Sequence, residues 1–427
     1  MPDVGGPVVG TVVPVVGAVV LLDELVVAFV AVVVDRVASL PLDEQPAAIS
    51  TTATAIDTRA RRTTRTLRGR GRRSPPGSVP CSAMDPVAAL ERVAYFLDRS
   101  LAPSQKSKAF LNAAEVVKAL PAGELEERHR AGTITELAGI GASTGAVIEQ
   151  ALDGKVPDRI TELEASTQIP VSEGAELRAA LKGDCHAHSV WSDGGATVEA
   201  MARTAMELGH DYLVMTDHSP RLTIAHGLDR DRLLAQLDEI AELNERLAPF
   251  RILTGIEVDI LTDGGLDQDP DLLEQLDLVV ASVHSKMKMD QREMTERMVL
   301  AIASPHVDVL GHCTGRKVSG FGPDQKVVRA QSAFDPDMVF AACARFDTAV
   351  EINCRPERQD PPPELLDLAV EWDCKISIDT DSHAPGQLEF ISYGCDKAAE
   401  HGIDPSRIIN TWSADELLAW TGTHPTS

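Results

Sequence analysis

Seven short apolar segments, each ending in polar and mostly ionisable residues, constrain this chain more than any other feature. They occupy 183–188, 212–218, 252–257, 278–284, 307–312, 349–353 and 375–383. They close on His186 and His188, then on His218, Glu257, His284, His312 and Asn353, and last on Asp381 and His383. Counted from His186, the steps to 218, 257, 284, 312, 353 and 383 are 32, 39, 27, 28, 41 and 30 residues. Such lengths suit strand-plus-helix units of ~30 residues or more. Helical patterns at 198–208 and 233–247 fit the crossovers. The expectation is an α/β fold, a seven-stranded (βα)7 TIM-like barrel, whose strand C-termini meet at one mouth.

That mouth gathers donors. A lone His at a strand end is more often a hydrogen-bonded core residue than a ligand, but six of the twelve histidines stand at these positions, joined by Asp193, Glu257 and Asp381. The others, at 129, 210, 226, 306, 401 and 424, fall mostly in helices or loops. Side chains alternate along a strand, so His186 and His188 point the same way. Imidazoles with carboxylates suit Zn, Mn or Fe.

Composition bounds the rest. The 427 residues hold 40 Lys and Arg against 65 Asp and Glu, a net charge of -25 that disfavours nonspecific coating of DNA. Seven scattered cysteines without a Cys-x-x-Cys predict reduced thiols and a cytoplasmic protein. Residues 4–22 carry no charge but include prolines and glycines, and no Lys or Arg precedes Arg36, so a secretory signal is not expected. Eight arginines follow between Arg59 and Arg73. A membrane anchor competes with a disordered or mistranslated extension over 1–83, and the second reading is adopted, with Met84 as the natural start. Without that segment, which holds 9 basic and 7 acidic residues, 31 basic residues face 58 acidic ones, a net of -27.

From Asp85 to about Leu163 apolar residues recur at helical spacing and predict four short helices. Ile134 to Leu152 reads as helix, glycine hairpin, helix, and Gly139, Ile140 and Gly141 form a candidate clamp for a DNA phosphate. An ordinary helix–helix turn is the plainer alternative. The segment 85–170 has 13 acidic and 9 basic residues, so any DNA contact there is expected to be weak and nonspecific. Residues 171–182 read as a linker to the barrel over 183–427.

Two resemblances follow from these residues. The stretches 108–114 and 137–141 make 84–170 similar to the N-terminal helix-hairpin-helix domain of family X DNA polymerases. Val147 stands where that family can carry a Schiff-base lysine, so lyase activity is not implied. The barrel resembles the polymerase and histidinol phosphatase, or PHP, domain over 182–420. The resemblance rests on His186-Ala187-His188, Ser192-Asp193-Gly194, Thr216-Asp217-His218-Ser219, Gly255-Ile256-Glu257 and Ser282-Val283-His284-Ser285. Gly311-His312, Glu351-Ile352-Asn353 and Asp381-Ser382-His383 complete it. It implies three divalent cations (Zn, Mn or Fe), one held by His186, His188, Glu257 and Asp381. Glu257 would bridge to a second with His284 and His312, and Asp193, His218 and His383 would hold the third.

Cations so placed favour hydrolysis of a phosphate ester by an acidified water. No P-loop or Gly-x-Ser-x-Gly elbow competes. Arg221, Lys286, Arg316, Arg355 and Arg358 lie just beyond strand ends, where they can orient phosphate or remain solvated loop charges. Lys286 and Arg316 closely follow His284 and His312, and join Asp193, His218, Glu257 and Asp381 as candidate catalytic residues. Asp217 is a candidate partner for a ligand imidazole or a strand-end cap. The resemblance implies a 3'-phosphoesterase or 3'-5' exonuclease linked to DNA repair. Polymerase activity is not expected, because only ~20 residues separate the helical module from the barrel. The alternatives are a histidinol-phosphatase type enzyme for small molecules, an amidohydrolase, disfavoured because Glu257 replaces a modified lysine as bridge, and a noncatalytic DNA-binding protein.

Overall fold

The computed structural model describes residues 84–321 and 325–423. The expected extension over 1–83, with its anchor alternative, lies outside them. No helix among the described residues is long and apolar enough to cross a membrane. The six described cysteines are free and buried.

The chain opens with a helical module of α1 (Pro86–Arg99), α2 (Ser104–Lys118), α3 (Glu124–Ala131), α4 (Ala142–Leu152) and α5 (Asp158–Ser166). Asp85 starts α1 by accepting from the Val87 and Ala88 amides, with Pro86 at the first helical position, where its missing N–H is harmless. Leu90, Val93, Phe96, Phe110, Ile134 and Ile148 fill one core. There are five α-helices where the pattern predicts four. The extra one, α3, buries only Leu125, so it has no apolar stripe to read, and left-handed glycines at 123 and 132 bound it. The first arm of the glycine hairpin is a 3-10 turn at Ile134–Glu136 rather than a helix. The stretch 171–182 contains α6 (Ala175–Ala180).

Seven parallel strands follow: β1 (Gly183–Ala187), β2 (Tyr212–Met215), β3 (Arg251–Asp259), β4 (Leu278–Ser282), β5 (Val309–Leu310), β8 (Ala349–Asn353) and β9 (Ile376–Asp379). They pair in that order. Nearly every strand residue is buried, as expected of a parallel sheet with both faces covered. The ends of the sheet meet through an Ala187–Ser382 bridge, the His188 amide donating to the Ser382 carbonyl at 2.8 Å, and the Cys185 amide donating to Asp379 at 2.9 Å. The crossover helices are α7 (Val198–Glu207), α8 (Arg230–Leu247), α9 (Pro270–Leu273), α10 (Gln291–Ile302), α11 (Pro336–Phe346) and α12 (Pro363–Glu371). A further helix α13 (Ile391–Glu400) follows β9, and α14 (Ala414–Thr421) is the last helix among the described residues.

One addition breaks the alternation. Between β5 and α11 lies an antiparallel hairpin, β6 (Lys317–Ser319) and β7 (Lys326–Arg329), that the sequence pattern does not predict. The helical module is joined to the barrel at a 3-10 segment, Pro385–Phe390, that begins two residues after His383. Gly386 is obligatory there, since a Cβ would lie 2.0 Å from the Tyr95 carbonyl oxygen.

Candidate metal centre

Each strand delivers its donor at the same level because the parallel register aligns the C-terminal ends. Glu257, at the end of β3, is the hub. Its carboxylate lies 2.8 Å from His218 Nδ1, 2.8 Å from His312 Nε2, 3.2 Å from His284 Nε2, 3.5 Å from His186 Nε2 and 3.6 Å from His188 Nε2. His188 Nε2 also stands 3.4 Å from Asp381 Oδ1. Asp193 Oδ1 lies 3.4 Å from His383 Nε2 and 3.6 Å from His218 Nε2.

All nine expected donors therefore meet at one mouth. Three groups offer atoms within 4.8 Å of one another: His188, Asp193, His218 and His383; His186, His188 and Asp381; and His218, Glu257 and His284. The grouping differs from the implied one in that His188 and His218 each serve two groups, while His312 reaches the cluster through Glu257. Asp193 is exposed and His284 and His383 are half-buried, so the cluster opens to solvent on their side.

The residues fit cations. His186 Nε2, both nitrogens of His188 and of His284, and Glu257 Oε2 are buried without a hydrogen-bond partner, an arrangement that is costly unless something else is coordinated. Burial would raise the Glu257 carboxyl, yet His284, His218 and His186 hold it well below the usual range. Burial also opposes ionisation of Asp381, which Arg358 overrides. Burial, with His383 and His218 beside it, pushes His188 down to about 3, and burial with Arg358 does the same to His312. Burial opposes charge on His186 and His284 as well, but Glu257 beside them overrides it, raising His186 well above its ordinary value and His284 to about 9. Ligation takes the neutral imidazole and the ionised carboxylate, so a cation would displace the protons on these two rings.

Supporting groups fix the donors. Glu351 accepts from His186 Nδ1 at 2.6 Å and from the His312 amide at 2.5 Å, and Asn353 donates to both Glu351 and Asp381 at 3.2 and 3.1 Å. Asp259 accepts from the His284 amide at 3.0 Å. Asp381 sits at φ 50°, a left-handed conformation that costs a non-glycine residue energy and recurs at functional sites. Gly311, just before His312, packs so closely on β4 that a Cβ would fall 2.3 Å from Ser282 Oγ.

The remaining candidates divide. Asp217 takes the cap reading: it accepts from the amides and hydroxyls of Ser189 and Ser192 and from Gln236, and so shapes the loop that carries Asp193. Arg316 turns away from the cluster, donating to the carbonyls of Arg358 and Gln359 at 3.1 and 2.5 Å. The cations that reach the donors are Arg358, 3.0 Å from Asp381 Oδ2, and Arg355, 2.8 Å from His383 Nδ1. Lys286 is exposed in the loop after His284, at φ 55°. Arg221 lies 3.6 Å from Asp267. Sequence reasoning assigned no part to Arg297, whose buried guanidinium donates to the Ile260 and Ser285 carbonyls and clamps the loops after β3 and β4. In the helical module, Gly139 takes φ 89° and Gly141 caps α4, while Ile140 and Val147 are buried. A cavity of about 710 Å3 beside the hairpin is lined by Lys106, Asn112, Gly139, Gly141, Ser143 and Arg159 among others.

A family model for the PHP domain matches residues 184–321. The chain carries a PHP domain. The DNA polymerase/3'-5' exonuclease PolX of Bacillus subtilis (strain 168) is 35% identical over 267 residues, covering 62% of this chain and 45% of that protein. The chain thus spans less than half the length of this relative. A probable phosphatase of Thermoanaerobacter sp. (strain X514) is 27% identical over 241 residues, 53% of this chain and 89% of that one. Among solved structures, histidinol phosphate phosphatase from Lactococcus lactis aligns with a TM-score of 0.35 at 17% identity, over 51% of this chain and 93% of that chain. The match spans the segments that carry His186, His188, Asp193, His218, Glu257, His284 and His312, while Asp381 and His383 lie beyond it.

Proposed function

We propose that the PHP domain hydrolyses phosphate esters of nucleic acid or nucleotides, as a 3'-phosphoesterase or 3'-5' exonuclease without polymerase activity. The observation that carries this reading is the convergence of six imidazoles and three carboxylates in one open barrel mouth, five of the imidazoles lying within 3.6 Å of Glu257. Similarity to a polymerase with 3'-5' exonuclease in its name supports the nucleic-acid part.

Three divalent cations, Zn, Mn or Fe, are the expected occupants, and Glu257, His186, His188, Asp193, His218, His284, His312, Asp381 and His383 would hold them. When bound, they would supply an acidified water and stabilise charge on the departing oxygen. The protein's own part is to keep the carboxylates ionised and to hold the donors rigid. Glu351 fixes His186, Asn353 and Arg358 fix Asp381, and Arg355 fixes His383. The exposed Asp193 edge admits substrate. Residues 84–170 act as a helix-hairpin-helix module that touches a DNA backbone weakly through Gly139, Ile140 and Gly141, and 183–427 as the hydrolase.

A second reading, a phosphatase for small molecules, is favoured by the net charge of -25 and by the phosphatase relative matched over most of its length. Side-by-side assays on a single-stranded oligonucleotide and on histidinol phosphate, with Mn or Zn added, separate the two. Turnover of the oligonucleotide at the higher kcat/KM is expected, and turnover of histidinol phosphate alone would overturn the nucleic-acid reading.

A further inference from the structure

We propose that the β6–β7 hairpin and the loop against which it packs form a cationic track that holds the phosphates of a single nucleic-acid strand leading into the metal centre. This deepens the hydrolytic reading above and rests on it for the fate of the strand, though binding can be measured without turnover.

The hairpin has no part in closing the barrel, yet its first strand begins five residues after His312 and is anchored beside the donors. Arg329 Nε donates to the Gly315 carbonyl at 2.8 Å. The Val318 amide donates to the Glu357 carbonyl at 2.8 Å, which ties the hairpin to the loop whose Arg355 and Arg358 touch His383 and Asp381. Lys317 and Arg329 are paired across the two strands. The positive charge thus continues from Arg358, at the donors, outward through Lys317 and Arg329 to Lys326.

Its charge is anomalous. Segment 315–329 holds four cations against one acid in a chain whose net charge is -25. Elsewhere on the barrel Arg203, Arg230, Arg246, Arg251, Arg292 and Lys375 each close an ion pair with a carboxylate. Among the described residues Lys317, Lys326 and Arg329 close none. Partial burial, with Arg358 and Arg329 nearby, lowers the Lys317 ammonium below its ordinary value, as expected where like charges are crowded. A polyanion relieves that crowding, and a row of cations needs a row of phosphates. A monoester offers one phosphate, which the metal centre already serves.

Apolar surface lies alongside. Val327 and Val328 are 71% and 67% exposed, and Phe321, 48% exposed, packs its ring 5.0 Å from that of Tyr393. Cations interleaved with an accessible aromatic ring are the means by which single strands are held without sequence preference.

The test uses the full chain and a fluorescein-labelled oligo(dT), followed by anisotropy without added metal, with Lys317→Glu/Lys326→Glu against Lys317→Arg/Lys326→Arg. The acidic variant is expected to bind ~10-fold more weakly, with the slope of log affinity against log salt reduced by about 1.4, from ~0.7 for each of two phosphate contacts. The arginine variant should match the wild type, and p-nitrophenyl phosphate turnover should be unchanged in both. Equal affinity and salt slope in the acidic variant, or no binding by the wild type, would overturn the track. Loss of p-nitrophenyl phosphate turnover together with strand binding would do the same, by pointing to damage at the centre. Binding that follows the expected pattern while no phosphate ester is hydrolysed would sink the hydrolytic reading and leave the track standing.

Discussion

Arg99→Met should cost the folded chain about 2–3 kcal/mol, because it breaks the junction between the helical module and the loop that carries His383. Arg99 is 8% exposed at the end of α1. Its Nη1 donates to both oxygens of Glu389 at 2.8 and 3.0 Å, while Nε and Nη2 reach Thr167 Oγ1 at 3.0 and 2.8 Å. Tyr95 donates its hydroxyl to the same Glu389. Breaking a buried ion pair from one side costs about 3–5 kcal/mol, since the stranded charge loses its partner without regaining water. Glu389 retains 23% side-chain exposure and the Tyr95 bond, which brings the figure down. The guanidinium carbon also stands 4.5 Å from the Phe96 ring centroid, a cation–π contact that methionine gives up with the ion pair, so the loss is mainly electrostatic. Urea unfolding of Arg99→Met, Glu389→Gln and the double variant measures it, with a coupling of about 1–2 kcal/mol expected in the cycle. A cost below about 0.5 kcal/mol, or additivity of the two single changes, would refute the reasoning.

Three further outcomes follow. His188→Ala should lower the bound transition metal in elemental analysis and abolish phosphoesterase turnover, because this side chain faces two donor groups; a chelator should do the same reversibly, with Mn or Zn restoring activity. Glu351→Gln should leave the fold intact by circular dichroism but weaken metal affinity or activity by about 10–100-fold, the usual effect of losing a group that orients ligands. His210, buried beside Arg178 with neither ring nitrogen hydrogen-bonded, is pushed down by burial to about 3. The unfolded chain takes up a proton near pH 6.5 and the folded one does not, so this group removes stability as pH falls from about 6.5 towards 3. His210→Leu should flatten that limb of the stability curve, and an unchanged limb would count against it.

Much of the barrel was legible because each buried parallel strand is an apolar run that stops at a polar group, and the intervals match strand-plus-helix units. The donors were legible for the same reason. Orientation was not: on paper Arg316, close behind His312, is the better candidate than Arg358, and only the path of the loops turns the first onto carbonyls and the second onto Asp381. The hairpin escaped because strands of three and four residues leave no alternation to read. Helix α3 escaped because it buries a single leucine. The Arg99–Glu389 pair joins positions 290 residues apart, which no local pattern encodes.

Closure of the sheet by β1 against β9 has a consequence for biosynthesis. The first donors come from β1 and the last lie just past β9, about two hundred residues later, so a ribosome-bound fragment lacking the final strand has only part of the cluster. A complete donor cluster therefore arrives late in translation, and neither half of a chain divided between β1 and β9 would possess it until both halves reassociate.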